Sequence, residues 1–358
     1  MIDDGKIAIR LLGGIDSYYF FIDNVVLNER LYRLIYENQI KNNDLEVENT
    51  EFLGYSGKES GFVGTWFRVD FSGSEEFPIP LFKVGFKSGD KQKNVNNIYV
   101  QLLGSGIYFL GFLGVLEYAQ KWFTSLLGVN VSLEHFINSR VDVNCFIGGY
   151  DFSTINYKMF FSSFVKFDTI KTFGGANERL ETLYLGARNA KYSFKIYDKR
   201  KELFKSLDKI SNYIKVYFFK KHGFDFKTEL WNAEFSLKRE FLKEFKTSNA
   251  AELLDNFYTI YQYCFSKLRF LGYDVDKIER YKINNNLNKL KSEPIWDKIL
   301  HNDTFSVKIK NSDVKRTVKR YLVDKENNAY KQVSLIMTKL VLSGYKINYD
   351  RYLKIVNL

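Results

Sequence analysis

Residues 182–202, TLYLGARNAKYSFKIYDKRKE, constrain the fold of this chain more tightly than any other stretch. Thr182 to Gly186 and Tyr192 to Lys199 alternate apolar and polar residues, the two-residue period of a strand with one buried face. The polar connection between them, Ala187 to Lys191, has the length of a hairpin loop. In the second strand Phe194 and Ile196 point to one side, and Ser193, Lys195, Tyr197 and Lys199 to the other. The apolar side needs a core to cover it, which leaves a tyrosine hydroxyl flanked by lysines on the polar side. A phenol among cations suits phosphate chemistry. The period by itself predicts only a hairpin, however, and a strand tyrosine with a solvated hydroxyl is ordinarily structural; the chain has 25 tyrosines.

Two further stretches show the same alternation. In Arg140 to Phe146, Val141, Val143 and Cys145 alternate with Arg140, Asp142 and Asn144; in Trp231 to Leu237, Ala233 and Phe235 alternate with Asn232 and Glu234. Asp142 and Glu234 are therefore polar-face residues, although alternation does not reveal which strands are neighbours. Asp142 also has a plainer reading, as the ion-pair partner of Arg140 or Lys238. Gly61 to Phe71 and the apolar run YYFFIDNVVL, which contains Asp23, read as strands, while 106–137 reads as helical. Lys201 to Phe219 predicts one long helix, with Leu203, Phe204, Leu207, Ile210 and Ile214 at three- and four-residue steps, and another helix starts at Glu240. From Ala250 the pattern becomes amphipathic and helical, with further helices expected over 313–323 and 328–343. The expected class is α+β: an antiparallel-sheet domain over 1–248 and a helical, basic region over 249–358. Lys289, Lys291, Lys308, Lys310, Lys315, Arg316, Lys319 and Arg320 concentrate cations in the second region, as a solvated helical face or as a surface that grips duplex phosphates.

A formal charge of +11 and a pI near 9.2 favour a polyanionic partner. Two cysteines, Cys145 and Cys264, are too few for a disulfide scaffold and suit a reducing cytoplasm. The start, MIDDGKIAIR, has acids where a secretory signal has a basic region. Ile98 to Leu116 is uncharged, but glycines at 104, 106, 111 and 114 interrupt it, and it reads as a buried strand followed by a core helix rather than a membrane span. The three histidines, His135, His222 and His301, are widely separated.

The elements TLYLGAR and KIYDK, followed in order by WNAEFSLKREFLKEF at 231–245 and preceded by VQLLGSG at 100–106 and NSRVDVNCF at 138–146, resemble the plasmid and phage replication initiation factors of the Rep_trans group. The resemblance runs from about residue 60 to 245. It implies a nicking-joining domain of the rolling-circle initiator or relaxase kind, which cuts one strand of origin DNA and keeps the 5′ end as a phosphotyrosine. A conjugative relaxase and a non-catalytic origin-binding or repressor protein are the alternative functions, and an RNA-binding protein is a weaker one resting only on charge and aromatic content. Carried over residue by residue, the resemblance makes Tyr197 the nucleophile, Lys199 its electrostatic partner, Arg188 a phosphate clamp, and Asp142 and Glu234 ligands of Mg2+ or Mn2+. Tyr184 and Tyr192 are rival nucleophiles in the same segment, and Asp23 is a weaker third carboxylate. Single- and double-stranded origin DNA are the implied partners, with room for a host helicase and a homodimer. One departure stands out: where the family's R-x-D strand often continues to another acid, this chain has Phe146, with Asp151 a few residues on.

Overall fold

The computed structural model describes residues 8–22, 50–56, 64–71, 78–87, 98–162, 170–174, 179–187, 190–205 and 210–307. Among these residues twelve strands are formed: β1 (Arg10–Ile22), β2 (Thr50–Ser56), β3 (Gly64–Asp70), β4 (Pro80–Lys87), β5 (Ile98–Leu102), β6 (Phe136–Gly148), β7 (Phe160–Ser162), β8 (Ile170–Gly174), β9 (Leu180–Leu185), β10 (Tyr192–Asp198), β11 (Leu230–Lys238) and β12 (Leu268–Phe270). The helices are α1 (Gly104–Leu127), α2 (Lys199–Phe204), α3 (Ile210–Lys221), α4 (Arg239–Glu244), α5 (Ala250–Lys267), α6 (Val275–Ile283) and α7 (Pro294–Leu300). Ten strands make one sheet in the order β2-β3-β4-β5-β1-β6-β11-β10-β9-β8, and every pairing in it is antiparallel. The α+β class and the antiparallel sheet are thus as the sequence predicts. None of the described helices is long and apolar enough to cross a membrane.

The alternation read from the sequence decides which side of the sheet is covered. Ile15, Tyr18 and Phe20 of β1, Val141 and Val143 of β6, Phe194 and Ile196 of β10, and Ala233 and Phe235 of β11 share one buried core with Val115, Leu116 and Phe123 of α1, Leu253, Phe257 and Ile260 of α5, and Ile295 and Trp296 of α7. On the opposite side a smaller cluster of Leu12, Tyr108, Phe146, Leu203, Phe218, Phe219, Phe224 and Leu230 packs α2 and α3 against the ends of β1 and β6. Helix α1 reaches both sides and kinks at Gly111 (φ 77°, ψ 159°), a conformation essentially reserved for glycine. Before the kink Tyr108 packs edge-on to Phe218 while Ile107 joins the main core, and after it Val115, Leu116 and Phe123 continue that core.

Two expectations need correction, and others fall outside the described residues. The long helix predicted over Lys201–Phe219 is two elements, α2 and α3, and residues 206–209 between them lie outside the described residues. The boundary expected between 248 and 249 runs through the main core: α5 and α7 pack on the sheet, β12 pairs with β7, and Phe305 bridges to Gly13 at the edge of β1. Leu253, Phe257 and Ile260 form an apolar stripe that the sheet covers, so the helices there are part of the same unit. Asp23 and the helices expected over 313–323 and 328–343 lie outside the described residues, as do Lys308, Lys310, Lys315, Arg316, Lys319 and Arg320.

Candidate active site

The predicted hairpin forms, with Ile196 opposite Leu183 and Tyr197 opposite Thr182. On its other side Tyr197 lies opposite Asn232 and Lys195 opposite Glu234, and β11 in turn sets Asn232 beside Phe146, Glu234 beside Asn144, and Ser236 beside Asp142. The three polar faces compared in the sequence therefore do share one sheet and one side of it. Within that side, Glu234 is a diagonal neighbour of Tyr197, whereas Asp142 is two strands away and four residues along, roughly 15 Å by strand geometry.

Strand β10 ends at Asp198, whose carboxylate caps α2 by accepting from the Lys201 N–H at 2.8 Å. Lys199 is consequently the first residue of a helix and not the last of a strand, yet its Nζ still donates to the Tyr197 hydroxyl at 3.2 Å. Lys199 is 2% exposed, and its ammonium is held by Glu202 at 2.6 Å and Asp16 at 3.9 Å. Burial works against its charge, but Asp16 and Glu202 hold its pKa above the usual lysine value.

Asp16 is a site residue the alternation does not predict. Between Ile15, opposite Val143, and Ser17, opposite Asp142, β1 carries an extra residue, a β-bulge. Strict alternation would turn Asp16 toward the core with Tyr18 and Phe20; the bulge turns it to the polar face instead. There it accepts hydrogen bonds from the Tyr108 hydroxyl and, at 3.4 Å, from the Tyr197 hydroxyl. Burial pushes the Asp16 pKa up, but Lys199, the Tyr108 hydrogen bond, Lys195 and Lys215 outweigh it and hold the carboxyl below its usual range. The available signal was an acid inside GGIDS, an apolar strand with paired glycines, the composition of a bulge.

The Tyr197 hydroxyl also accepts from Asn232 Nδ2 at 2.9 Å, and Asn232 is fixed by Asn144 Nδ2 donating to its Oδ1 at 2.9 Å. Both asparagines are fully buried, so the phenol oxygen is aimed by a rigid relay from the sheet centre. Burial, then Asp16, Glu234 and Glu202, push the Tyr197 pKa well above the ordinary phenol value. The ammonium groups of Lys195 and Lys199 sit 4.8 and 5.3 Å from the centre of its ring. Asp16, Ser17, Tyr108, Thr182, Lys195 and Tyr197 are among the residues that line an open cleft of about 440 Å³.

The carboxylates expected to hold a divalent ion are engaged elsewhere. Both Asp142 oxygens accept from Arg140, at 2.8 and 2.5 Å, in a bidentate pair that is the plainer of the two readings of this residue. Glu234, 1% exposed, meets Lys195 Nζ at 2.9 Å through Oε1 and Asn232 Nδ2 at 3.3 Å through Oε2. Burial raises its pKa to about 8 even though Lys195 opposes the shift. Each oxygen of the two carboxylates already accepts from an N–H donor, so a magnesium or manganese ion would fit this donor set only by displacing Arg140 and Lys195. Among the described residues no three His, Cys, Asp or Glu side chains are grouped to hold a metal. Phe146, where an acid was expected, lies in the row of Asn232 and Tyr197 with its ring 5.8 Å from Lys199 Nζ; the carboxylate at the phenol comes from Asp16. Asp151 pairs with Arg179 at 2.6 Å, away from the cleft. Tyr184 lines the cleft on the neighbouring strand, Tyr192 packs against Phe241, and Arg188 lies outside the described residues.

No protein-family model and no curated protein sequence matches the chain. Among solved structures, the rolling-circle replication initiator protein from Geobacillus stearothermophilus is similar at a TM-score of 0.42 and 14% sequence identity, over 81% of this chain and 96% of that one.

Proposed function

We propose that the chain is a DNA strand-nicking and strand-joining protein that starts rolling-circle replication, with Tyr197 as its nucleophile. The observation that carries the reading is the Tyr197 hydroxyl in an open cleft, touched at once by an ammonium, a buried amide and a carboxylate. An unassisted phenol is ionised in only about one molecule per thousand at neutral pH, and burial makes this one more reluctant still. The surrounding groups answer that need. Asp16 takes the phenol proton as Oη attacks phosphorus, while Lys199 and Asn232 hold the charge that develops on the oxygen. The bond from phosphorus to the 3′ oxygen breaks, that oxygen takes up a proton from water, and the 5′ side stays on Tyr197 as a phosphodiester to tyrosine. Joining is the reverse reaction and needs no nucleotide cofactor, because the bond energy is kept in the link. No step runs through a metal. The sequence resemblance adds the context: origin DNA as substrate in the cytoplasm, Arg188 as a phosphate clamp, and a plasmid or phage as host element.

The test is incubation of the full chain with single-stranded oligonucleotides spanning the host element's origin, in chelator and with manganese, followed by denaturing electrophoresis. A covalent adduct is expected in both conditions; Tyr197→Phe abolishes it and leaves oligonucleotide binding intact. An adduct mapped to Tyr184 or Tyr192 would overturn the assignment of the nucleophile. A second reading, an origin-binding protein without nicking activity, is favoured by Phe146 standing where an acid was expected, and oligonucleotide binding with no adduct under any condition would support it.

A further inference from the structure

The polar face does not stop at Tyr197. Register carries it outward over the last two strands: Tyr197 is opposite Thr182 and Thr182 opposite Phe173, while Lys195 is opposite Tyr184 and Tyr184 opposite Lys171. Phe173, on β8, the last strand of the sheet among the described residues, is 54% exposed, and Tyr184 is 38% exposed. Their rings meet edge to face at 6.0 Å. A large apolar ring on the outermost strand of a sheet invites unwanted pairing, and such edges normally carry lysine or proline. Here two aromatic side chains touch each other at the edge, and in its own row Tyr184 has Lys171 on one side and Lys195 on the other.

We propose that Phe173 and Tyr184 are a stacking platform for the unpaired bases of a single DNA strand whose phosphate lies over Tyr197, an inference that rests on the nicking reading. Charge selects this occupant: Lys171 stands directly across from Tyr184 and two residues along β8 from Phe173, and the chain carries a net charge of +11. Cations beside aromatic faces match a strand that alternates phosphates and bases, because every base has a face to stack and every link a charge to neutralise. The spacing agrees. Phe173 lies two strands from Tyr197, about 10 Å, which is roughly three nucleotides at the duplex rise of 3.4 Å and fewer in a stretched strand. The stacked bases are thus the ones next to the bond that is cut, on the side away from α3.

The experiment measures binding of fluorescent oligothymidylate to the full chain carrying Tyr197→Phe, so that chemistry does not intervene, and then to the same chain with Phe173→Ala, Phe173→Trp or Tyr184→Ala. Each alanine substitution is expected to weaken binding by about 5- to 150-fold, the loss of one stacked base, with the salt dependence unchanged; tryptophan at 173 restores it. Both side chains are exposed, and circular dichroism confirms that the variants fold. Affinities within twofold of the parent overturn the platform, as does a change from dimer to monomer in sedimentation with oligonucleotide binding untouched, which would make the edge a contact between copies. The two readings fail separately. An adduct at Tyr197 with alanine-insensitive binding sinks only the platform, while alanine-sensitive binding without any adduct sinks only the nicking chemistry.

Discussion

Asp16 reaches Tyr197 only because β1 has one residue more than its partner β6 at that point, and this gives the residue a role that substitution can isolate. Asp16→Asn keeps the shape but turns one of its two accepting oxygens into an amide donor and removes the proton acceptor, so adduct formation in a single turnover is expected to slow by about 10²-fold or more while oligonucleotide affinity holds. An unchanged rate would assign the phenol proton to another acceptor. Asp142→Asn should leave that rate unaffected, since Asp142 is remote from the phenol and serves Arg140; its effect belongs to thermal stability. Glu234 gives a pH signature. Its pKa rises on folding from 4.5 to about 8, so between those values the folded state binds more protons than the unfolded one, and stability falls as pH rises through that window. Glu234→Gln removes the titrating group, and denaturant midpoints measured across the same window should become flatter. A slope identical to the parent's would place the titration elsewhere.

Among the elements, α1 is the one whose shape the site depends on. Its first turns, before the kink at Gly111, carry Tyr108 to Asp16, and the turns after it cover the core. A Cβ at Gly111 would meet no atom within 4 Å, so Gly111→Ala isolates backbone strain from crowding. It is expected to cost about 1–3 kcal/mol in chemical denaturation and to weaken the Tyr108 hydrogen bond to Asp16; stability equal to the parent's would mean the helix straightens without penalty. The sheet and most strand faces were legible in the sequence because a two-residue period is a direct image of one-sided burial. Tyr197, Lys195 and Glu234 were placed on the right side for that reason. Asp16 was hidden because a bulge shifts the phase of the very pattern being read. Lys199 was assigned to a strand because the period continues past Asp198, although that carboxylate caps a helix there. The engagement of Glu234 and Asp142 with Lys195 and Arg140 depends on cross-strand and along-strand pairs, which alternation does not rank.

At the scale of the whole molecule, residues 250–307 are structural members of the sheet domain. A fragment ending at Ser248 would lack Leu253, Phe257, Ile260, Ile295 and Trp296, all buried against the sheet, and is expected to lose its cooperative melting transition; a fragment that melts like the parent would restore the boundary expected from sequence. The cations after residue 307 are better tested in the full chain. Changing Lys315, Arg316, Lys319 and Arg320 to glutamine should lower affinity for duplex origin DNA and flatten its salt dependence, by a slope of about 0.9 for each phosphate that is no longer neutralised, without changing adduct formation on a single strand. Equal slopes would place the duplex grip on the sheet domain. The amphipathic stripe of α5 was legible, but nothing in a stripe says which surface will cover it. The bridge between Gly13 and Phe305 bears on time as well as shape. The Gly13 N–H donates to Thr304 and its carbonyl accepts from Ser306, three residues before Asp16. A ribosome making roughly 5–20 residues per second emits Asp16 some 15–60 s before the residues that fasten its strand. The nascent chain therefore carries Asp16 long before the segment that fastens the Gly13 end of its strand exists, and the surroundings of the cleft are complete only when almost all of this core has been made.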